Sequence, residues 1–237
     1  RLSYCSGMDQ PSRTIEGQTL ARDAVATLAG DGPARLLDCD LEGANLSRLD
    51  FTGWVFERCR LGRTDFGGAM LELTRWSQCR GGHAGFKGAR LEDAAFRSSD
   101  FNNGNFRSAV LSSVRFEDCK LTGADFTDAR ALGLRLVRTL LVAARLPGFD
   151  FRKEKLEGVD FSSADLANSD FRDAVFEQCS LREANIEGAR FENADLRGAD
   201  LGGLDILGKP GRFRGAVVSA AQAELILSQT GIRVRAR

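Results

Sequence analysis

Large apolar residues recur at every fifth position over the range 41–206, and only Gly81 and Ala131 interrupt the series. Small residues stand two positions before most of them, as Ala124 does before Phe126. An α-helix repeats about every 3.6 residues and a strand every two, so neither element explains a period of five. A fixed short period predicts a solenoid, with one turn in each five-residue unit and two inward side chains, one large and one small.

The large inward positions are rich in phenylalanine. Since Phe buries a large apolar area, we expect these rings to stack in neighbouring coils and to fill a narrow core. The predicted core ladder consists of Phe51, Phe56, Phe96, Phe101, Phe106, Phe116, Phe126, Phe161, Phe171, Phe176 and Phe191.

Five cysteines lie at positions that differ by multiples of twenty, which a five-residue period alone does not require. If four units complete one coil, residues twenty apart stack at about 4.8 Å and these cysteines share one internal column. No Cys-X-X-Cys pair occurs, and the single histidine, His83, lies outside the column. We therefore expect buried free thiols, without a metal, a disulfide or any cofactor. The predicted column consists of Cys39, Cys59, Cys79, Cys119 and Cys179.

The position before the large residue is often Asp or Asn. It gives the units Ala-Asp-Phe at 124–126, Ala-Asn-Ile at 184–186, and Ala-Asp-Leu at 164–166, 194–196 and 199–201. These units resemble the consensus Ala-(Asp/Asn)-Leu-X-X of the pentapeptide-repeat family. The resemblance implies an all-β fold, a right-handed quadrilateral parallel β-helix with four units per coil and one unit on each side.

Three segments are expected along the chain. Residues 1–38 are out of phase with the repeat, and we expect them to cover the first coil, with one short helix from about Thr19 to Ala29. Residues 39–207 form the β-helix, and residues 208–237 supply a C-terminal helix and tail.

The C-terminal segment is the candidate for a cap or a dimer contact. Ser219 is a suitable N-cap for a helix from about Ala220 to Gln229. The resemblance favours a homodimer formed through this end, and a monomeric cap over the last coil is the alternative. Its apolar residues are Val217, Val218, Leu225, Ile226, Leu227 and Ile232.

Two segments depart from the repeat, at residues 80–85 and at Ala131–Glu154. In the second, Glu154 occupies a small inward slot, where a buried carboxylate is costly unless it is paired. We expect a distorted coil or an exposed contact surface there. Its outward apolar residues are Leu132, Val137, Leu140 and Val142, and its basic residues are Arg130, Arg135, Arg138 and Arg145.

The sequence favours a protein without catalytic activity. A single histidine removes most nucleophilic, acid–base and metal schemes, and neither a Gly-X-Gly-X-X-Gly motif nor a phosphate-binding Gly-Lys-Ser/Thr loop occurs. We predict no catalytic, cofactor-binding or metal residues. No apolar run reaches the roughly 18–20 residues of a membrane span, and no leader-like segment is visible, so we expect a cytoplasmic protein. The chain begins at Arg1, which indicates a fragment or a trimmed chain.

Charge is balanced overall, with 33 basic and 33 acidic residues. This balance gives no general attraction to nucleic acid or to anionic membranes. Acids nevertheless outnumber bases by 14 to 7 over residues 150–205. The candidate acidic partner surface consists of Asp160, Asp165, Asp170, Asp195, Asp200 and Asp205.

The resemblance also suggests a function. Topoisomerase-interacting members of the family, of the Qnr and MfpA type, bind type II topoisomerase as DNA mimics and modulate sensitivity to quinolones or toxins. The chain looks closer to the loopless MfpA type because it lacks phase-breaking insertions. DNA gyrase or topoisomerase IV is then the expected partner, with no direct binding of nucleic acid. The alternative is a general interaction scaffold or effector whose partner docks on residues 132–142.

Overall fold

The computed structural model describes residues 11–234, which form a parallel β-solenoid of about nine turns. Residues twenty apart face each other in neighbouring coils, as Leu36 faces Phe56 and Phe56 faces Trp76. The predicted fold and its four-unit coil are therefore confirmed.

The regular elements are short because every five-residue unit contains a turn. The helices are Arg22–Gly30 (α1) and Ala220–Ser228 (α2), with a 3-10 turn at Pro210–Phe213. The strands are Thr14–Glu16 (β1), Arg35–Leu37 (β2), Val55–Glu57 (β3), Arg75–Ser77 (β4), Ala95–Arg97 (β5), Arg115–Glu117 (β6), Arg135–Val137 (β7), Lys155–Glu157 (β8), Val175–Glu177 (β9), Cys179–Ser180 (β10) and Ala199–Asp200 (β11). Strands β1 to β9 form one sheet in sequence order, and β10 pairs with β11.

Each coil has four sides, which one coil illustrates. Its first side carries β3 with Phe56 pointing inward, and Leu61, Phe66 and Leu71 are the inward centres of its second, third and fourth sides. All four side chains are fully buried. The eleven phenylalanines of the predicted ladder are likewise buried, but they are shared among the four sides and do not form a single column.

Ring stacking between coils holds the core together. Phe56 stacks on Trp76 with centroids 3.9 Å apart, and Phe106 stacks on Phe126 at 4.7 Å. Rings on opposite sides meet edge to face, as Phe106 and Phe116 do at 6.0 Å. Both arrangements are favourable for aromatic quadrupoles, so the rings add specificity to the apolar burial.

Where an Asp or Asn precedes an inward residue, its side chain can close the turn of the unit. The Asp65 Oδ1 atom accepts a hydrogen bond from the Gly67 amide at 2.8 Å. The backbone then turns through the left-handed region, where Gly53 has a φ of 74° and Arg63 a φ of 57°. Short polar side chains that bond the backbone two residues ahead favour such turns, which explains the Asp/Asn position physically.

The sheet begins before the expected boundary at residue 39. Strand β1 pairs in parallel with β2, and Thr19 forms a parallel bridge with Asp40. Helix α1 replaces the remaining sides of this first coil and buries Val25 completely. The coil is not detectable from the five-residue period, because only its first part has strand geometry.

Backbone pairing also continues beyond residue 207. The Phe191 amide donates to the Arg212 carbonyl at 2.8 Å, and the Phe213 ring stacks on Phe191 at 5.0 Å. Asp195 and Val217 form a further parallel bridge. The last coil is thus two residues longer than the others, which hides it from a search for a strict period of twenty.

Helix α2 lies over the end of the solenoid, in the position that the cap alternative requires. It begins after Ser219, which shares a capping box with Gln222. The Gln222 Nε2 atom donates to the carbonyls of Leu196 and Ala199, at 2.8 and 2.6 Å. The bond to Ala199 O satisfies a carbonyl that an open coil would leave unpaired, and Leu196 O also accepts from the Ala199 amide at 2.9 Å.

Candidate interaction surfaces

The cysteine column lies inside the solenoid, behind the corner between the first and second sides. Its five members are buried and unpaired by disulfides. Their thiols contact backbone carbonyls, as Cys59 Sγ does with Leu36 O at 3.3 Å, and Ser99 Oγ occupies the equivalent place with a bond to Arg97 O at 2.8 Å. Burial raises the pKa of the Cys119 thiol to about 11. The column therefore holds small side chains with weak donors.

The six acids of the candidate partner surface do not lie together. Asp160 and Asp200 lie at the corner between the first and second sides, and Asp165 and Asp205 at the next corner. Asp170 and Asp195 lie at the two corners of the fourth side. Several of them accept the amide two residues ahead, as Asp160 does from Ser162 at 2.9 Å. Turn closure thus accounts for much of the acidic repeat.

Arginines neutralise the two acids of the fourth side. Arg172 contacts Asp170 at 2.6 Å, and its hydrogen bond lowers the pKa of that carboxyl. Arg197 does the same for Asp195, also at 2.6 Å. These two carboxylates add little net charge to the surface.

A smaller acidic surface remains on the second side, formed by Asp160, Asp165, Glu183, Asp200 and Asp205. Arg182 is the basic residue among them, and it pairs with Asp200 at 3.0 Å. Asp160, Asp165 and Asp205 have no ion pair within residues 11–234. We call these five residues the acidic side.

The apolar and basic residues of the Ala131–Glu154 segment do not form one patch. Leu132 is 77% exposed on the fourth side, whereas Val142 is half-buried on the opposite, second side. Leu140 lies at the corner between the first and second sides. Arg138 pairs with Asp118 at 2.6 Å and with Glu117 at 2.8 Å. A single docking surface across residues 132–142 is therefore wrong, because the coil turns through three sides over that length.

The predicted irregularity in this segment is present as a break in backbone pairing. Residues 128–135 lie against residues 147–155, and among the described residues the amides of Asp128, Ala131, Gly133, Asp150 and Lys155 make none of the usual bonds between coils. The equivalent bonds are present in the coil before and the coil after, as from Leu111 N to Arg130 O at 2.7 Å and from Phe151 N to Asp170 O at 2.8 Å. We call this break, between residues 128–135 and 147–155, the open seam.

The C-terminal candidate residues divide between a cap and an exposed surface. Ile226 is buried against the last coil, and Val218 and Leu227 are half-buried. Val217, Leu225 and Ile232 are exposed, Leu225 by 49% and Ile232 by 53%. Helix α2 can therefore cap the chain and still present apolar side chains to a second molecule.

The rest of the described surface shows shallow grooves. One runs past Arg80, His83, Asp100, Asp118 and Lys120 on the second side and the adjoining corner. Within residues 11–234, no group of three or more His, Cys, Asp or Glu side chains is arranged to hold a metal. No helix in that range is long and apolar enough to cross a bilayer.

Comparisons with known proteins agree with this architecture. Solved structures similar to the chain include a trypsin-treated form of QnrB1, a plasmid-mediated fluoroquinolone resistance protein. It has a TM-score of 0.60 and 23% identity, over 94% of this chain and 97% of that one. They also include HetL, a pentapeptide repeat protein involved in heterocyst differentiation regulation from Nostoc sp. strain PCC 7120. HetL has a TM-score of 0.42 and 20% identity, over 78% of this chain and 86% of its own.

No curated protein matches the chain. The model of the pentapeptide repeats matches in eight copies, over residues 34–72, 89–128, 135–173, 160–198 and 174–206. The matched ranges follow the same side chains that fill the solenoid core, and together they cover more than half of the sequence. The chain belongs to the pentapeptide repeat family.

Proposed function

We propose that this protein acts by binding another protein through the side of its solenoid, without catalysis, and that the partner is a type II topoisomerase. The observation that carries the proposal is the acidic side, where Asp160, Asp165 and Asp205 have no basic partner within residues 11–234. Regularly spaced carboxylates on a rod present negative charge much as a DNA duplex does. DNA gyrase and topoisomerase IV are the candidates, and the proposal places the protein in the cytoplasm.

Stacking supports this use of the acidic side. Asp160 bridges to Ser180 and Asp165 to Asn185, so the carboxylates of one coil are separated from those of Asp200 and Asp205 by a polar coil. This spacing limits the repulsion between like charges, and Asp160 and Asp165 stay partly exposed while Asp200 and Asp205 are exposed. A surface of this kind binds a basic groove, with an association rate that falls with salt.

A gyrase supercoiling assay with and without ciprofloxacin tests the proposal. The unmodified protein is expected to inhibit supercoiling, or to protect the enzyme from the drug, at micromolar concentration. The variant Asp160→Asn/Asp165→Asn/Asp200→Asn/Asp205→Asn should lose most of this effect. Asn keeps the Oδ1 acceptor that closes each turn, as Asn185 does for Glu187 at 3.1 Å, so the variant should fold normally.

A matched control changes four turn-closing carboxylates in the N-terminal coils, in the variant Asp40→Asn/Asp50→Asn/Asp65→Asn/Asp100→Asn. It should retain the activity. Failure of the unmodified protein to affect gyrase or topoisomerase IV would sink the topoisomerase proposal. Equal losses in both variants would show that total charge matters and the acidic side does not.

The second candidate function is a general interaction scaffold. It is favoured by the ion pairs that neutralise many of the other acids, such as Asp170 and Asp195, and by the zero net charge. Such a scaffold would bind a partner of different chemistry on another side of the rod. Affinity capture with the protein as bait distinguishes the two: recovery of topoisomerase subunits supports the first candidate.

A further inference from the structure

Overfilled inward slots account for the open seam. On the fourth side, the small inward column contains Ala94, Val114, Leu134, Glu154 and Ala174 in successive coils. Leu134 and Glu154 are therefore two large side chains in direct succession. Trp54 stands in the same column without a break, but its neighbours there are the small residues Ala34 and Thr74.

The seam also gives Glu154 access to water. This side chain is only half-buried, although its slot is fully buried as Ala174 or Val114 in the neighbouring coils. A carboxylate in a closed slot would have to lose its hydration without a basic partner. Ala129 and Ala131, which lie beside the break, are partly exposed for the same reason.

Unpaired cations surround the open seam. Arg130 and Arg135 lie on one edge of the seam, in residues 128–135, and Lys153 lies on the other edge, in residues 147–155. None of them has an ion pair within residues 11–234. Three carboxylates lie along the two edges of the seam, those of Asp128, Asp150 and Glu154. Arg152 forms an ion pair with Asp150. Leu132 projects between these cations with 77% of its surface exposed.

We propose that the open seam binds an extended acidic segment of a partner protein. Such a segment would pair its carboxylates with Arg130, Arg135 and Lys153, and it would offer its peptide groups to the free amides of the seam. One apolar side chain of the segment would cover Leu132. A nucleic acid also carries negative charge, but it brings neither peptide groups nor an aliphatic side chain. The seam lies on the fourth side, opposite the acidic side, so the site is independent of topoisomerase binding.

Fluorescence anisotropy with a defined probe tests the proposal. The probe is a fluorescein-labelled ten-residue peptide of glutamates with one central leucine, and the reference probes are its Gln-for-Glu analogue and a single-stranded oligonucleotide of equal charge. The full chain should bind the acidic peptide at least tenfold more tightly than either reference. Equal or tighter binding of the oligonucleotide would overturn the assignment to a peptide.

Charge reversal locates the site. The variant Arg130→Glu/Arg135→Glu/Lys153→Glu should bind the acidic peptide at least tenfold more weakly. A matched control reverses three unpaired, exposed cations elsewhere, in Arg48→Glu/Arg63→Glu/Lys87→Glu, and should bind within twofold of the unmodified chain. The match extends to the backbone, since Lys153 has a φ of 61° and Arg63 a φ of 57°. Equal losses in both variants would overturn the site.

Closing the seam separates its geometry from its charge. Phe149 also fills a small inward slot, which Ala109, Ala129 and Ser169 occupy in other coils. The variant Ala131→Leu/Phe149→Ala/Glu154→Ala restores a large residue at position 131 and small residues at positions 149 and 154, and it retains every cation. Hydrogen exchange should show that the amides of residues 131, 133 and 150 are fast in the unmodified chain and protected in the variant, with peptide affinity lowered at least fivefold. Protection in the unmodified chain, or protection in the variant with unchanged affinity, would overturn the proposal. If the amides of residues 131, 133 and 150 still exchange fast in the variant, the seam has not closed, and the affinity for the acidic peptide should stay unchanged. A loss of peptide affinity in that case would contradict the role of the open seam.

Discussion

The Phe101 ring occupies the space that Gly81 leaves in the core of the second side. A Cβ atom on Gly81 would lie 2.2 Å from Phe101 Cε1, far inside van der Waals contact. The same ring meets Phe96 edge to face at 5.3 Å and Trp76 at 5.9 Å. The missing large residue at position 81 is therefore compensated from the neighbouring coil.

We expect Gly81→Ala to destabilise the protein, although the repeat has a large residue at this position in most coils. The added methyl group must displace the Phe101 ring from its edge-to-face contacts, and overpacking of this kind costs about 1–3 kcal/mol. Urea unfolding followed by circular dichroism measures the change in free energy.

Gly82→Ala is the control for this prediction. A Cβ on Gly82 would meet only Asn102 O at 3.9 Å, and its backbone does not require glycine. Its stability should stay within about 0.5 kcal/mol of the unmodified chain. Equal stability of the two variants would show that Phe101 does not fill the space beside Gly81.

We expect Phe116→Asp to unfold the neighbouring coils. Phe116 is fully buried and stacks on Phe96 with centroids 4.7 Å apart, so the carboxylate would replace ring contacts with an unpaired charge. The loss should reach about 4 kcal/mol or more, and thermal melts should show it directly.

Phe116→Leu separates charge from ring loss. It keeps an apolar side chain in the slot, as Leu136 does in the next coil, and should cost roughly 1.5 kcal/mol. An unchanged melt for Phe116→Asp would contradict the inward assignment of this column.

The sequence predicts the fold well because the period of five and the cysteine spacing of twenty both reflect stacked coils. It predicts the surfaces poorly, because an outward residue can close a turn or bind a partner, and the sequence pattern is the same in both cases. Asp160 closes a turn whether or not a partner binds it, and the arginine that neutralises Asp170 is visible only in three dimensions. Glu154 shows the opposite case: a break in the pattern at an inward slot marks the open seam directly.

Stability should fall at alkaline pH partly through Cys119. Burial raises the pKa of its thiol from 9.0 to about 11, so the folded state holds the proton where the unfolded state loses it. The contribution is fully present below pH 9 and is lost as the pH rises towards about 11. The variant Cys119→Ser should therefore lose less stability than the unmodified chain between about pH 8 and pH 10.5 in urea titrations.

Serine fits this slot, since Ser99 already occupies the column with its hydroxyl bonded to Arg97 O. The variant should consequently fold and melt normally near neutral pH. Equal losses of stability at high pH would indicate that Cys119 ionises as freely in the folded state as in the unfolded one. Zinc or a reducing agent should leave both melts unchanged.

A homodimer through the C-terminal end should depend on the exposed face of α2. The variant Leu225→Glu places a charge where 49% of the leucine surface is open to a partner, and it should shift the protein to a monomer in sedimentation velocity. Met70→Glu, at a side chain 37% exposed in an N-terminal coil, is the control and should leave the distribution unchanged. A monomeric unmodified chain would reject the dimer.

The capping role of α2 depends on Gln222 and can be tested apart from dimerisation. Gln222→Glu keeps the Oε1 acceptor for the Ser219 amide but replaces the Nε2 donor to Leu196 O and Ala199 O with a second oxygen. Ala199 O then loses its donor, whereas Leu196 O keeps the bond from the Ala199 amide. The loss in the free energy of unfolding should be about 2 kcal/mol, concentrated in this coil. Hydrogen exchange of the amides near residue 199 should accelerate.

In the control Gln229→Ala, at an exposed helix end, exchange should stay as in the unmodified chain. Slow exchange in Gln222→Glu would mean that the end of the solenoid is held by the apolar contact of Ile226 alone.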